Sequence, residues 1–357
     1  MQWNADPQVV SPVGRPLEEQ LATRERRQKL QGFEPVYSDI VDYIIRCTHR
    51  IWEQKNVGLC RTHYAPNCKV HTLAGPTVGA EAVVQGTVGT LAGYADRAVV
   101  GEDVIWSEDE PGLYLSSHRI CSDGTHMGDD AMLGPASMRL SGVRTIADCH
   151  VRANEIVEEW LVRDNLAAVL QVGLDPWEVA RKQASLDLTG DPARHGWRAS
   201  WIADLRGGAD APVPPSGHPA LLPARAWSLA LNDDLYGEAS QLYSASAEVS
   251  WPSNRRGFGR GYWIGCLQQV RAALSRARWR LDHWAARPLP HGDVAVALRW
   301  SLAGTHTGDG VWGAPTQKDI LILGVSHFRL RHSVVVEDIT VFDELAVLRQ
   351  IAGGSGA

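Results

Sequence analysis

The residues best suited to proton chemistry are two carboxylates set in apolar strands. Ile156-Val157-Glu158-Glu159-Trp160-Leu161 reads as a strand. Period-two alternation puts Glu159 on one face with Val157 and Leu161, and Glu158 on the other with Ile156 and Trp160. Near the end of the chain Val336-Glu337-Asp338-Ile339-Thr340 repeats the pattern, with Asp338 sharing a face with Val336 and Thr340. A carboxyl group aimed at an apolar surface has its charged form disfavoured, so its pKa climbs toward neutrality and it can exchange protons at working pH. An imidazole nearby would hold such a group or polarise a substrate carbonyl. The plainer alternative is an acid on a solvent-facing strand, and the sequence leaves both open.

His126 and His306 each sit inside Gly-Thr-His-x-Gly. Glycines on both sides predict a strand bent or bulged there, which could aim the ring inward; a histidine that simply bonds its neighbours is the competing reading. Asp164 and Asp343 head a terminal helix in each half, where capping is the first expectation and a place at a cavity mouth the second. His63, His71 and His118 add polar side chains to the first half, His71 and His118 as candidate substrate contacts. No HxH or HExxH spacing and no glycine-rich phosphate loop after a strand occurs, so neither metal nor organic cofactor is expected. Tryptophans crowd the second half; most are expected in the core, with Trp300 a candidate to line a pocket for a flat ring.

The elements that must position these residues come in two sets. Gly124-Thr125-His126-Met127-Gly128-Asp129 returns as Gly304-Thr305-His306-Thr307-Gly308-Asp309, and Tyr64 to Val70 is echoed by Tyr243 to Val249. An echo half a chain apart reads as a tandem duplication. In each copy helical periodicity comes first, over 40–52, 57–64 and 79–94, then over 224–231, 235–243 and 260–275. The strands expected in the first copy are 68–73, 98–106, 113–121, 142–152 and 156–162. In the second they are 247–251, 278–286, 294–303, 319–331 and 334–341, and a helix closes each copy. Helices followed by antiparallel strands make an α+β pattern. The expected divisions are an arm at 1–35 with a helix over 17–30, domains at 36–173 and 223–351, and a tail at 352–357. Between the domains, 174–222 reads as a linker with a short helix and a Gly/Pro-rich segment.

Composition narrows the function classes. With 357 residues, 44% hydrophobic and 21% charged, the chain has room for two cores. A net charge of -6 gives nucleic acid no electrostatic footprint, and the Arg24–Lys29 cluster reads as a solvated helical face. Six cysteines without CxxC spacing fit neither a disulfide framework nor a zinc site. No signal segment or membrane-length apolar run is evident, so the expected compartment is the cytoplasm.

Gly304-Thr305-His306-Thr307-Gly308, then Gly313-Ala314-Pro315-Thr316, a long strand with His327, and Asp343 to Gln350 together resemble the SnoaL-like polyketide cyclases. These belong to the nuclear transport factor 2-like superfamily. The first copy has the same order, ending Trp160, Asp164, Leu170-Gln171-Val172-Gly173. The resemblance implies two tandem cone-shaped domains, each with N-terminal helices packed on a curved, mostly antiparallel sheet. It also implies a cavity worked without metal or cofactor. In the cyclases a carboxylate just before the last-strand tryptophan is the acid/base and a strand histidine faces it; by placement these fall on Glu159 with His150, and on Asp338 with His327. Such domains often pair through their sheets, which here implies a pseudo-dimer within one chain and leaves a homodimer open. The expected function is acid/base catalysis (cyclase, isomerase, dehydratase or hydrolase) on a small carbonyl or hydroxylated molecule. A ligand-binding or assembly module and a metal-assisted hydrolase are the alternatives.

Overall fold

The computed structural model describes residues 9, 15–189, 193–208 and 211–353. Residues 1–8 and 10–14 of the expected arm, 190–192 and 209–210 of the linker, and 354–357 of the tail lie outside the described residues. Two compact units emerge. The first comprises the described residues through Thr72, with Pro76–Arg163 and Gln171–Gly173; the second comprises Leu73–Gly75, Asp164–Leu170 and the described residues from Leu174 onward.

The first unit carries α1 (Leu17–Gln20), α2 (Ile40–Thr48), α3 (Cys60–His63) and α4 (Ala80–Gly93). Its strands are β1 (Tyr64–His71), β2 (Thr77–Val78), β3 (Ala98–Glu110), β4 (Leu113–Thr125), β5 (Leu140–Arg152) and β6 (Glu155–Arg163). They form one sheet in the order β2-β1-β6-β5-β4-β3, antiparallel except where β1 runs parallel to β6. In the second unit α5 (Asn165–Gln171, all but its last residue), α6 (Pro176–Thr189) and α7 (Ala193–Arg206) precede α8 (Leu221–Leu231) and α9 (Tyr236–Gln241). Then come β7 (Tyr243–Trp251), β8 (Arg255–Phe258), α10 (Arg260–Ala273), β9 (Leu274–Pro288), β10 (Val294–His306), β11 (Asp319–Arg331), β12 (Val334–Phe342) and α11 (Glu344–Ala352). The sheet order β8-β7-β12-β11-β10-β9 matches that of the first unit, including the parallel pair β7 and β12. This is the expected α+β class. No helix among the described residues is long and apolar enough to cross a membrane.

Local chemistry accounts for the entry into α2. Asp39 accepts from the Asp42 N–H at 2.8 Å, and Asp42 accepts from the Ser38 N–H at 3.0 Å, a reciprocal cap that satisfies two orphan donors. The helix then buries Ile40, Val41, Ile44, Ile45 and Cys47. The expected helix over 17–30 stops at Gln20. Beyond it the Arg26 guanidinium donates to the carbonyls of Leu30, Phe33, Glu34 and Tyr37, pinning a turn that drives Leu30, Phe33 and Tyr37 into the core. Arg26 is therefore an exposed structural clasp outside any helix, where a solvated helical face was expected. The linker holds two 14-residue helices, α6 and α7, where one short helix was expected. All six cysteines are free.

The repeated hexapeptide caps a helix. The N–H groups of Met127 and Gly128 donate to the Gly93 carbonyl at 3.0 and 3.1 Å, and those of Thr307 and Gly308 to Ala273 at 3.1 and 3.2 Å. Each pair satisfies an orphan carbonyl at the end of α4 or α10. A Cβ on Gly128 or Gly308 would collide with the carbonyl oxygen of Ala92 or Ala272, so the motif needs glycine there.

In the second unit Gly324 lies directly across from Trp300 in the β10–β11 ladder, and the indole lies over the bare glycine. Gly324→Ala would drive a methyl group into that ring. We expect a loss of about 1–3 kcal/mol, read as a lower urea midpoint, as for other overpacked cores. An unchanged midpoint would show that the indole moves aside freely.

Candidate active site

The first unit holds a partly open cavity of about 220 Å³ between its sheet and its helices. Strand register maps its floor. Across β4, β5 and β6 one row reads Ile120, Thr145, Arg163; the next reads His118, Ala147, Leu161; the third reads Ser116, Cys149, Glu159, and Val70 of β1 extends it. All of these but Ser116 line the cavity. Ile44, Cys47, Thr48, Ile51 and Trp52 close it from the α2 side, and Val83 and Thr87 from α4.

Glu159 is 4% exposed. Burial pushes its carboxyl up to about 7, against the opposing pull of Arg163 and a hydrogen bond with Tyr64. Burial also holds the Tyr64 hydroxyl protonated, well above its ordinary value, so it stays a donor. As expected, Leu161 lies on the Glu159 face. Ile156, and not Val157, joins them in the lining, because the ladder passes from Ile156 opposite Val151 to Glu158 opposite His150 and leaves Val157 as a bulge.

His118 is 3% exposed, and burial pulls its imidazole down to about 4, so the ring is neutral. Its Nδ1 lies 3.3 Å from the Thr48 hydroxyl, and its buried Nε2 has no hydrogen-bond partner. Two strands and one row separate His118 from Glu159, a Cα distance of about 12 Å by ordinary sheet spacings. Two reactive side chains thus flank the space without touching.

The expected partner of Glu159 is elsewhere. His150 lies opposite Glu158, the neighbouring residue, and therefore points from the other face. There its Nε2 meets Asp109 Oδ2 at 2.9 Å, with the Trp160 ring edge-on. His71 is on that face too, 2.8 Å from Glu158 and stacked on Trp160. His126 is buried in the hexapeptide turn, where its Nδ1 meets the Ser137 hydroxyl at 3.1 Å and its ring stacks on Tyr94. Asp164 groups with the second unit. It caps α5 through Ala167 and accepts from the Ser253 N–H at 2.7 Å, while burial raises it to about 6.

In the second unit Asp338 is 0% exposed and raised to about 7 by burial. It accepts from the hydroxyls of Tyr243 and Thr340, each at 2.7 Å, and Trp227 donates to Tyr243 at 3.2 Å. Phe328 is opposite Asp338 in the ladder and Ile339 is opposite His327, so this histidine also belongs to the other face. Counting along matching rows, the positions of His118, Ile120, Cys149 and Arg163 carry Leu298, Trp300, Phe328 and Phe342. Trp227 packs on Trp251, Trp279, Trp300 and Phe328. Trp300 is thus core, its indole N–H donating to Ser326 at 3.0 Å. His306 repeats the turn contact, at 3.1 Å from the Thr316 hydroxyl. Asp343 caps α11 through Ala346 and takes the Asn165 amide at 2.6 Å, with its carboxyl pushed up to about 6 by burial.

The cavity residues that sequence reasoning did not single out are Tyr64, Thr48, Arg97 and Arg163. For Tyr64 a signal was present, since Tyr64 and Tyr243 are echoed at the head of the first strand in each copy.

No protein-family model and no curated protein sequence matches this chain. Among solved structures it is similar to IdmH from Streptomyces antibioticus, a candidate polyketide cyclase. That match is 22% identical with a TM-score of 0.31, over 36% of this chain and 96% of that one. A candidate SnoaL-like polyketide cyclase from Jannaschia sp. CCS1 is 14% identical with a TM-score of 0.33, over 43% of this chain and 100% of that one. AclR from Streptomyces galilaeus, a candidate hydroxylase, is 16% identical with a TM-score of 0.32, over 37% and 92%.

Raised carboxyls such as Glu159 and Asp338 make stability depend on pH. In the window from 4.5 to about 7 the folded chain keeps a proton on Glu159 that the unfolded chain releases, so stability falls as pH rises through it. Asp338 acts in the same direction from 3.8 to about 7. Glu159→Gln removes its share, so relative to wild type it should gain up to roughly 3 kcal/mol more at about pH 8 than at about pH 4. Urea titrations at the two pH values check this; a constant offset between the proteins would contradict it.

Proposed function

We propose that the first unit is an acid/base enzyme that enolises a small carbonyl compound, with Glu159 as proton carrier. One observation carries the reading: a carboxyl poised near neutrality shares a cavity with a neutral imidazole whose Nε2 is unpartnered. A base works best when its pKa is near the working pH. In the tautomer in which Nδ1 accepts from the Thr48 hydroxyl, the ring proton sits on Nε2, where it can donate to a substrate oxygen.

In this scheme the Glu159 carboxylate takes a proton from the carbon next to the carbonyl. The C–H electron pair becomes the new C=C bond, and the carbonyl π pair moves onto oxygen, which accepts from His118 Nε2. A neutral donor suits this step because it stabilises the enolate without first trapping a carboxylate as its ion pair. Returning the proton to another carbon gives isomerisation; attack of the enolate carbon on a second carbonyl gives cyclisation. Tyr64 holds the carboxyl in place. The motif order that resembles the SnoaL-like cyclases agrees with this class of chemistry, and the matching strand orders support a duplicated ancestor.

The second unit is the non-catalytic copy in this reading. Asp338 keeps the carboxyl and Tyr243 the tyrosine, but Leu298, Trp300, Phe328 and Phe342 replace the groups that face open space in the first unit. The acid remains as a buried hydrogen-bond acceptor.

Exchange of α-hydrogen for deuterium in cyclohexanone and 3-oxocyclohexanecarboxylate, followed by NMR, tests the reading without knowledge of the natural substrate. Wild-type protein should accelerate exchange, with a rate that rises as pH increases through about 7. Glu159→Gln should lower it about 10²–10⁴-fold, while Asp338→Asn leaves it nearly intact. Equal rates for wild type and Glu159→Gln would remove the carboxylate mechanism, and loss only in Asp338→Asn would move it to the second unit.

A further inference from the structure

The end of the cavity beyond His118 is cationic. Among its charged lining residues Arg97 and Arg163 stand against the single carboxyl of Glu159. Arg163 ends the row formed with Ile120 and Thr145, two rows along β6 from Glu159, or about 13 Å between Cα atoms at strand rise. Arg97 precedes β3 and is held from several sides. Its Nη2 donates to the Ser122 hydroxyl at 2.8 Å, its guanidinium lies 4.2 Å from the centre of the Trp52 ring, and its carbonyl accepts from Lys55 at 2.7 Å. Its Nη1 is buried without a hydrogen-bond partner.

A buried guanidinium N–H with no acceptor, as at Arg97 Nη1, is costly until an acceptor joins it. Burial and the neighbouring Arg163 depress the Arg97 guanidinium to about 10, which still leaves it charged at neutral pH. Glu53 attracts it, but that carboxylate already accepts from the Val99 N–H. A planar fork clamped by an aromatic ring and a hydroxyl, with one donor unpartnered, is the form of side chain that receives a carboxylate. The second unit lacks the feature: Phe342 takes the row of Arg163 and packs against Trp251 and Trp300.

We infer that the molecule this cavity takes is a small organic carboxylate, seated with its anionic group on Arg97 Nη1 beside Arg163 and its reacting carbonyl between His118 and Glu159. The assignment of the reacting end rests on the enolisation reading above; the anion seat does not. Size limits the class further. At about 220 Å³ the space is below the range of roughly 300–1,000 Å³ usual for drug-sized ligands, so it suits a single ring or a short chain. A span of about 13 Å between Cα atoms, shortened by two inward side chains, matches an oxo acid whose ketone lies a few bonds from its carboxylate.

Calorimetric titration of the full-length chain with benzoate and with benzamide, its neutral isostere, tests the anion seat apart from catalysis. Benzoate should bind at least about tenfold more tightly than benzamide. Arg97→Gln should weaken benzoate about tenfold or more and leave benzamide unchanged, and Arg163→Gln should act in the same direction. Circular dichroism confirms that each variant is folded, and the Arg163 variant decides the matter should Arg97→Gln unfold. Equal affinity for the two probes, indifference to both substitutions, or no benzoate binding at about 10 mM would overturn the inference. Glu159→Gln separates the two proposals. If it loses exchange activity while the probes bind equally, the enolisation reading stands and the anion seat falls. If it exchanges normally while wild type selects benzoate through Arg97, the seat stands and the enolisation reading falls.

Discussion

Each unit is built around a carboxyl group buried on the inner face of its sheet. Water would stabilise the charged form of such a group, and the interior offers hydroxyls in its place: Tyr64 for Glu159, Tyr243 and Thr340 for Asp338. Both tyrosines open the strand that runs parallel to the carboxyl-bearing strand, so the one parallel pairing in each sheet brings acid and phenol together. That pairing needs a crossover between first and last strands of the sheet, and the intervening helix and strands supply it. The carboxyl thus constrains the topology as well as the chemistry.

The two units resolve the same constraint differently. In the second, aromatic rings close over the site, and Gly324 gives up its side chain so that Trp300 can lie flat across the sheet. Burial of such rings is a large apolar gain, and the acid is reduced to one acceptor within a hydrogen-bonded chain from Trp227 through Tyr243. In the first unit the corresponding rows carry His118, Ile120, Cys149 and Arg163, and space is left among them. An unfilled cavity and uncompensated polar atoms both oppose stability, which is typical of a place kept for a ligand. Two sheets of the same strand order thus carry different side chains on matching rows.

The histidines show how little spacing alone says about role. His126 and His306 belong to the most visible motif in the sequence, yet its backbone caps the ends of α4 and α10 while the rings bond Ser137 and Thr316 within the turn. His150 and His71 are engaged by Asp109 and Glu158 on the opposite face from Glu159. His118, in an unremarkable strand, is the one that meets the cavity.

By itself the sequence determined what depends on local periodicity. It specified the α+β class, the longer helices and strands of both halves in their order though not the short β2 and β8, and Glu159 with Leu161 on one face, because alternation is a property of neighbouring residues. It did not determine that Val157 is bulged, since a bulge is fixed by the partner strand; the shift exchanges Val157 for Ile156 at the cavity wall. Nor could it pair His118 with Glu159. They are 41 residues apart, and flank one cavity only because β4, β5 and β6 lie side by side in a particular register. The same holds for Arg97 and Arg163, which look like ordinary strand-end cations until the sheet brings both to the lining of one cavity. Periodicity assigns a side chain to a face; register between distant strands decides what shares that face, and only the tertiary structure fixes it.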